Sequence, residues 1–321
     1  MSSNKKIIHV LMILMALFLS LMVYLTYFQL FKAPKLAESG QNPRTALKEQ
    51  SIKRGDIVSA DGEKLAYSEF DGDRQIRNYP YGSLYSHVIG YSSQTYGKSM
   101  LENSYNGYIM GTGFSNQIFN LKQYISGEKK EGANLTLTID HKLQKKAAEL
   151  MNGKNGAVVA INPKTGATLA LLSNPSYDTN EKSLKENWAK LAESEDSVFL
   201  ARATSGLYAP GSVFKTVTAA SAVENRLDDM KFEDNGSVYV DSHEFKNYGG
   251  KKHGNIDIYQ GFAVSSNVVF VTLADKLGYS KLSATAKNFM IGEKINYDVP
   301  LQTGQILKDN KKTNVAAVGM G

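Results

Sequence analysis

From Ile7 to Phe31 the chain reads IIHVLMILMALFLSLMVYLTYFQLF, 25 residues without a formal charge and with one histidine, His9. About 20 apolar residues suffice to cross the hydrocarbon core of a bilayer, so this stretch constrains the fold before anything else does. Tyr24, Tyr27 and Phe28 lie near its far end, where interfacial aromatics sit. A buried core helix and a cleaved signal peptide compete with this reading. A signal peptide has a shorter apolar region, roughly 7–15 residues, followed by a small-residue cleavage site. Here the stretch runs straight into Lys32-Ala33-Pro34-Lys35, which points to an uncleaved anchor at 7–31. Residues 1–6 are too few for a domain, so the remainder lies on one side as a folded body. Lys5 and Lys6 precede the span, while Lys32, Lys35, Arg44 and Lys48 follow it, so the positive-inside count does not choose the side.

The rest of the 321 residues is enough for two domains with a sizeable core. The absence of cysteine removes disulfides, thiolate zinc sites, iron–sulfur clusters and thiol catalysis. A net charge of +6 is mild, and Lys pairs such as Lys129-Lys130 and Lys251-Lys252 never extend into a basic run. Nucleic acid is therefore not an expected partner.

Residues 33–50, with Pro34, Gly40 and Pro43, read as a juxtamembrane linker. Asp61-Gly62 between alternating residues signals a hairpin. The stretch up to about Gly132, rich in Tyr, Gly, Ser and Asn, predicts a small, irregular α+β domain. At Ala133 the pattern changes. Asn134–Ile139 alternates like a strand, and Asp140 is placed to cap a helix through Met151, with Leu143, Ala147 and Leu150 on one face. Gly156–Ile161 and Thr168–Ser173 predict two buried strands around an Asn162–Gly166 turn.

Residues 207–226, LYAPGSVFKTVTAASAVENR, contain the first chemical signal. Pro210-Gly211 breaks what precedes, and a helix is expected from about Ser212, placing Ser212 and Lys215 on one face. A helix N-terminus favours developing negative charge at the serine. A lysine desolvated by Val213 and Phe214 loses its proton more readily, and a neutral amine beside a hydroxyl is a nucleophile with its base. The pattern alone is common, recurring at Ser2/Lys5, Ser3/Lys6 and Ser126/Lys129. Its second element is Ser265-Ser266-Asn267, a polar island inside an apolar run. One reading of this island is a cap for the helix that follows. The other is a loop facing Ser212 and Lys215 that supplies a hydroxyl relay and a carboxamide.

Together these residues resemble the penicillin-recognising serine enzymes, which combine S-x-x-K, S-x-N and K-[ST]-G. The anchor, RGDIVSADGEKLA (54–66), YPYGSLYSHVIGY (79–91), LTLTIDHKLQ (135–144), GAVVAINPKTGATLALLSNPSYDTN (156–180) and YAPGSVFK (208–215) are similar to class B penicillin-binding proteins. That resemblance implies an α+β chain. After the anchor it has a non-catalytic pedestal or dimerisation domain at 32–132, then a transpeptidase domain at 133–321 with an antiparallel sheet and helices, as in serine β-lactamases. It implies a peptidoglycan D,D-transpeptidase with the N-terminus inside the cell and the body outside. Ser212 would be acylated, Lys215 would be its base, Ser265 would pass a proton to the leaving amine, and Asn267 would hold Lys215 and the substrate amide. Stem peptides ending in D-Ala-D-Ala, β-lactams, the cytoplasmic membrane, a glycosyltransferase and other wall-synthesis proteins are the implied partners. No cofactor or metal is implied.

One departure stands out. The K-T-G at Lys164-Thr165-Gly166 precedes Ser212 and falls in the expected hairpin turn, and none lies between Asn267 and Gly321. The expectation is a transpeptidase domain truncated at its C-terminus. On the same fold, a D,D-carboxypeptidase or β-lactamase would share Ser212 and Lys215, and a non-enzymatic β-lactam sensor or wall-synthesis scaffold is the alternative outside catalysis. Gly206-x4-Gly211 begins like a phosphate-binding loop but is followed by Ser212 in place of lysine, and the five histidines show no ligand spacing.

Overall fold

The structure, a computed structural model, describes residues 2–32, 51–72, 74–111, 131–306 and 310–321. The linker expected at 33–50 and residues 112–130 of the expected pedestal lie outside the described residues. The chain divides into two compact units, Met1–Phe199 and Leu200–Gly321.

In the first unit, helix α1 (Ser2–Tyr27) continues into a π-helical turn, Phe28–Lys32. Its segment Ile7–Tyr27 is long and apolar enough to cross a membrane, and its large apolar side chains are exposed, as a lipid-facing helix requires. Thr26 satisfies its hydroxyl internally by donating to the Met22 carbonyl, 2.8 Å away.

Strands β1 (Ile57–Val58), β2 (Lys64–Asp71), β3 (Arg74–Asn78) and β4 (Leu135–Thr136) form one sheet in the order β3-β2-β1-β4, with β1 and β4 parallel. The Asp61-Gly62 hairpin connects β1 to β2 as expected. The expected strand over 134–139 shortens to two residues, and these complete the sheet begun at Ile57. Under this sheet, Glu102 accepts from Arg77 Nε at 2.7 Å and from Arg54 Nε at 3.1 Å, and all three side chains are buried.

Asp140 caps helix α2 (His141–Met151), its carboxylate accepting from Leu143 N at 2.8 Å. Of the three apolar residues expected on one face, only Ala147 is buried. Leu143 and Leu150 are exposed, whereas His141, Gln144 and Ala147 are buried. Gln144 explains this, because its carboxamide meets both backbone groups of Leu171, donating to the carbonyl at 2.9 Å and accepting from the N–H at 2.8 Å. An apolar periodicity cannot register a helix whose anchoring side chain is polar.

Leu171 belongs to β6 (Thr168–Asn174), which pairs with β5 (Gly156–Ile161). Only β6 is the buried strand expected, since Val159 and Ile161 of β5 are exposed. Lys164-Thr165-Gly166 occupies the turn, where Gly166 takes φ +74 and donates to the Asn162 carbonyl at 2.8 Å. After helix α3 (Glu181–Ala192), Trp188 stacks on Tyr96 at 3.8 Å, and Tyr91, Tyr177, Leu184, Val198 and Phe199 pack in the same cluster. The first unit ends at Phe199, a member of this cluster.

The second unit is built on helices α4 (Lys215–Glu224), α5 (Ile258–Ala263), α6 (Asn267–Asn288) and α7 (Lys312–Met320). Strand β7 (Lys231–Asp234) pairs antiparallel with β10 (Gly254–Asp257), and β8 (Ser237–Val240) pairs with β9 (His243–Lys246). Helix α6 is the core element. Val268, Val269, Phe270, Val271, Leu273 and Ala274 are buried on every side, which is the expected composition for a central helix. Gly278, at φ +71 and ψ 169, interrupts it.

Helix α7 approaches α6 so closely that a Cβ on Gly319 would lie 2.2 Å from Ala274 Cβ. Thr218 Oγ1 also donates to the Gly319 carbonyl at 2.8 Å. Gly319→Ala is expected to destabilise the protein by about 1–3 kcal/mol through overpacking. The check is the thermal midpoint of the second unit, and an unshifted midpoint would contradict the close packing.

Candidate active site

Pro210 and Gly211 end the preceding segment, and the serine enters a 3₁₀ turn, Gly211–Phe214, before α4 begins at Lys215. The regular helix thus starts three residues later than the sequence predicts. The tighter turn preserves the intended alignment, because side chains three residues apart eclipse in a 3₁₀ helix. Lys215 Nζ lies 3.3 Å from Ser212 Oγ.

The loop before α6 supplies the other partners. Lys215 Nζ donates to the Ser265 carbonyl at 2.8 Å and to Asn267 Oδ1 at 2.7 Å, and it lies 3.0 Å from Ser265 Oγ. Ser212, Ser265 and Asn267, the three other side chains selected from sequence, therefore converge on the Lys215 nitrogen. The polar island both caps the helix and faces Lys215. Ser266 caps α6, accepting from Val269 N at 3.1 Å, while Ser265 and Asn267 on either side face Lys215.

Lys215 is 2% exposed, all its hydrogen-bond partners are neutral, and the Phe270 ring lies 5.7 Å from its nitrogen. Burial pushes its pKa below the ordinary value of 10.5. The arrangement also constrains where the protons go. Asn267 Nδ2 donates to the Lys246 carbonyl at 2.7 Å, which turns Oδ1 towards the lysine. The Ser265 carbonyl and Asn267 Oδ1 can only accept, so they take the two N–H bonds of a neutral amine. The lone pair is left for a hydroxyl, and Ser212 and Ser265 are the two within reach. The site can therefore hold an amine that takes a proton from one serine and returns it through another.

Sequence reasoning missed Asp234 and Asn247, which lie behind the Ser265–Asn267 loop. Their sequence signals, Asp234-Asn235-Gly236 and Asn247-Tyr248-Gly249, look like ordinary turns. Among the described residues no group of three or more His, Cys, Asp or Glu side chains is arranged to hold a metal ion.

A buried lysine is thus shared between two serines and an asparagine, on helices packed beside short antiparallel strands. Residues 156–321 match the penicillin binding protein transpeptidase domain, and residues 54–135 match the penicillin binding protein A dimerisation domain. The chain belongs to the penicillin-binding protein transpeptidase family.

Peptidoglycan D,D-transpeptidase PbpA of Mycolicibacterium smegmatis is 32% identical over 307 residues, an alignment covering 89% of this chain and 62% of that protein. The chain thus spans less than two thirds of the length of this relative. Among solved structures, the imipenem acyl-enzyme complex of penicillin-binding protein A from M. tuberculosis superposes with a TM-score of 0.80. It is 27% identical and covers 86% of this chain and 68% of that chain. The D,D-transpeptidase domain of a peptidoglycan glycosyltransferase from Eggerthella lenta gives a TM-score of 0.72 at 32% identity, covering 84% of this chain and 62% of that one.

Proposed function

We propose that this chain carries the acylation machinery of a peptidoglycan D,D-transpeptidase. The observation that carries the reading is the buried Lys215 nitrogen, within 3.3 Å of Ser212 Oγ and bonded to neutral partners throughout. The relatives' activity and the β-lactam acyl-enzymes of the structural neighbour support the choice of substrate.

Ser212 is the nucleophile. Its Oγ–H proton passes to neutral Lys215 Nζ as Oγ bonds to the penultimate D-Ala carbonyl carbon of a stem peptide. The C–N bond to the terminal D-Ala then breaks, and the departing nitrogen receives the proton from Lys215 through Ser265 Oγ. Asn267 fixes Lys215 and binds the substrate amide. An amine of a neighbouring stem attacks the ester carbonyl, forms the crosslinking amide and restores Ser212. A β-lactam opens by the same first step and remains on Ser212.

The substrate lies outside the cytoplasmic membrane, so the anchor at 7–31 leaves residues 1–6 inside and the body outside. Residues 32–132 serve as the non-catalytic pedestal or dimerisation domain, and 133–321 as the transpeptidase domain. A glycosyltransferase that supplies glycan strands and other wall-synthesis proteins are its partners.

Incubation of the full chain with a fluorescent penicillin tests the reading. The expected result is a covalent adduct that Ser212→Ala abolishes. Equal labelling of Ser212→Ala and the parent, or no labelling of the parent, would overturn it.

A further inference from the structure

Ser265 holds φ +56, a left-handed backbone conformation uncommon for a residue that is not glycine. Such a conformation persists only where its surroundings over-determine it. The loop that contains it also begins a buried helix, whose first N–H groups have no partners within the helix.

Asn247 meets this requirement. Its Oδ1 accepts from Asn267 N at 2.8 Å and from Val268 N at 3.2 Å. Its Nδ2 donates to Asp234 Oδ1 at 2.7 Å and to the Lys251 carbonyl at 2.8 Å. Asp234 in turn accepts from Ser266 Oγ at 2.7 Å and from Gly236 N at 2.9 Å. Asp234 is fully buried, and Asn247 and Ser266 are buried as well. The carboxylate's partners are neutral donors, of which Ser266 Oγ and Asn247 Nδ2 tie it to the loop while Gly236 N closes its own turn.

The three loop residues thus face opposite ways. Ser265 and Asn267 point at Lys215, while Ser266 and the Asn267 and Val268 amides are bound by Asp234 and Asn247. The backbone of β9 adds a further tie, since the Lys246 carbonyl accepts from Asn267 Nδ2. We propose that Asp234 and Asn247 are positioning residues that lock Ser265 and Asn267 against Lys215 and thereby set the rate of serine acylation.

This inference rests on the acylation chemistry proposed for Ser212, so two measurements on the full chain in detergent keep them apart. The first is amide hydrogen exchange. Asn247→Ala is expected to lose protection at Asn267 and Val268 while the helix beyond Phe270 stays protected. The second is the rate constant for acylation by a fluorescent penicillin, per folded molecule and at saturation. Asn247→Ala is expected to lower it roughly 10–100-fold with little change in the affinity of the preceding complex, as misplaced catalytic groups do.

Asn247→Asp, the isosteric variant, keeps the acceptor for the two amides but sets a second carboxylate against Asp234, so it should also acylate slowly. Adding Asp234→Asn to it restores one carboxylate and one carboxamide, and part of the rate should return. A parental rate in Asn247→Ala would overturn the proposal, as would a rate loss without loss of protection, or a double variant no faster than Asn247→Asp. A parent that forms no adduct would remove the acylation reading instead, and exchange at Asn267 and Val268 would still decide whether Asn247 holds the loop.

Discussion

Lys215→Met is expected to slow acylation by a β-lactam about 10²–10⁴-fold, the usual contribution of a positioned general base. Methionine nearly matches the volume of the lysine stem but cannot take the proton of Ser212. Lys215→Arg should fail to a similar degree for a different reason. It keeps the positive charge, but guanidinium stays protonated and offers no lone pair. The two variants together separate charge from basicity, and either one acylating near the parental rate would remove Lys215 as the base.

The same reasoning sets the pH profile. The neutral amine is the competent form, and burial lowers the lysine pKa from 10.5. Acylation of the parent should therefore rise with pH and level off below 10.5. That rise should be absent from the residual rate of Lys215→Met.

Glu102→Gln is expected to cost about 3–5 kcal/mol, the range found when one member of a buried ion pair is removed. The carboxylate is fully buried between Arg54 and Arg77, whose guanidiniums are buried with it, and Tyr79 also donates to it at 3.2 Å. Burial pushes its pKa up, but the charges of Arg77 and Arg54 outweigh burial and hold it at about 2. A carboxyl whose folded pKa lies below its unfolded value stabilises the fold above the unfolded pKa and loses that effect in acid. From 4.5 down to about 2, this contribution should fall by about 3 kcal/mol.

Trp188 is the only tryptophan and lies in the same compact unit as Glu102. Its fluorescence therefore reports the unfolding of that unit alone. The parent's advantage over Glu102→Gln in urea should shrink as the pH drops from 4.5 to 2. A constant difference across that range would show that Glu102 carries no charge-dependent stability.

Several elements were legible in the sequence because their causes are local. The helix of membrane-spanning length needs only a long apolar run, the α2 cap needs only Asp140 at the right place, and the K-T-G turn needs Gly166 five residues after Ile161. Ser212 and Lys215 could be paired because three residues of helical backbone, α or 3₁₀, bring them to one face. The buried face of α2 was not legible, since a polar Gln144 anchors it through the backbone of Leu171, 27 residues away. The aromatic cluster that joins Tyr91 and Tyr96 to Tyr177, Trp188 and Phe199 was not legible either, because its members are far apart in sequence.

By itself, the sequence located an apolar stretch of membrane-spanning length and the Ser212/Lys215 spacing, and its resemblance to penicillin-binding proteins implied the α+β character and the choice of Ser212, Lys215, Ser265 and Asn267. Only the tertiary structure decided that Ser265 and Asn267, 50 and 52 residues from Lys215, meet its nitrogen. Only the tertiary structure assigned Asp234 and Asn247 to the loop behind them. The physical reason is that a buried helix start and a left-handed serine must have every polar group satisfied. Which distant side chains do so depends on how the chain closes upon itself.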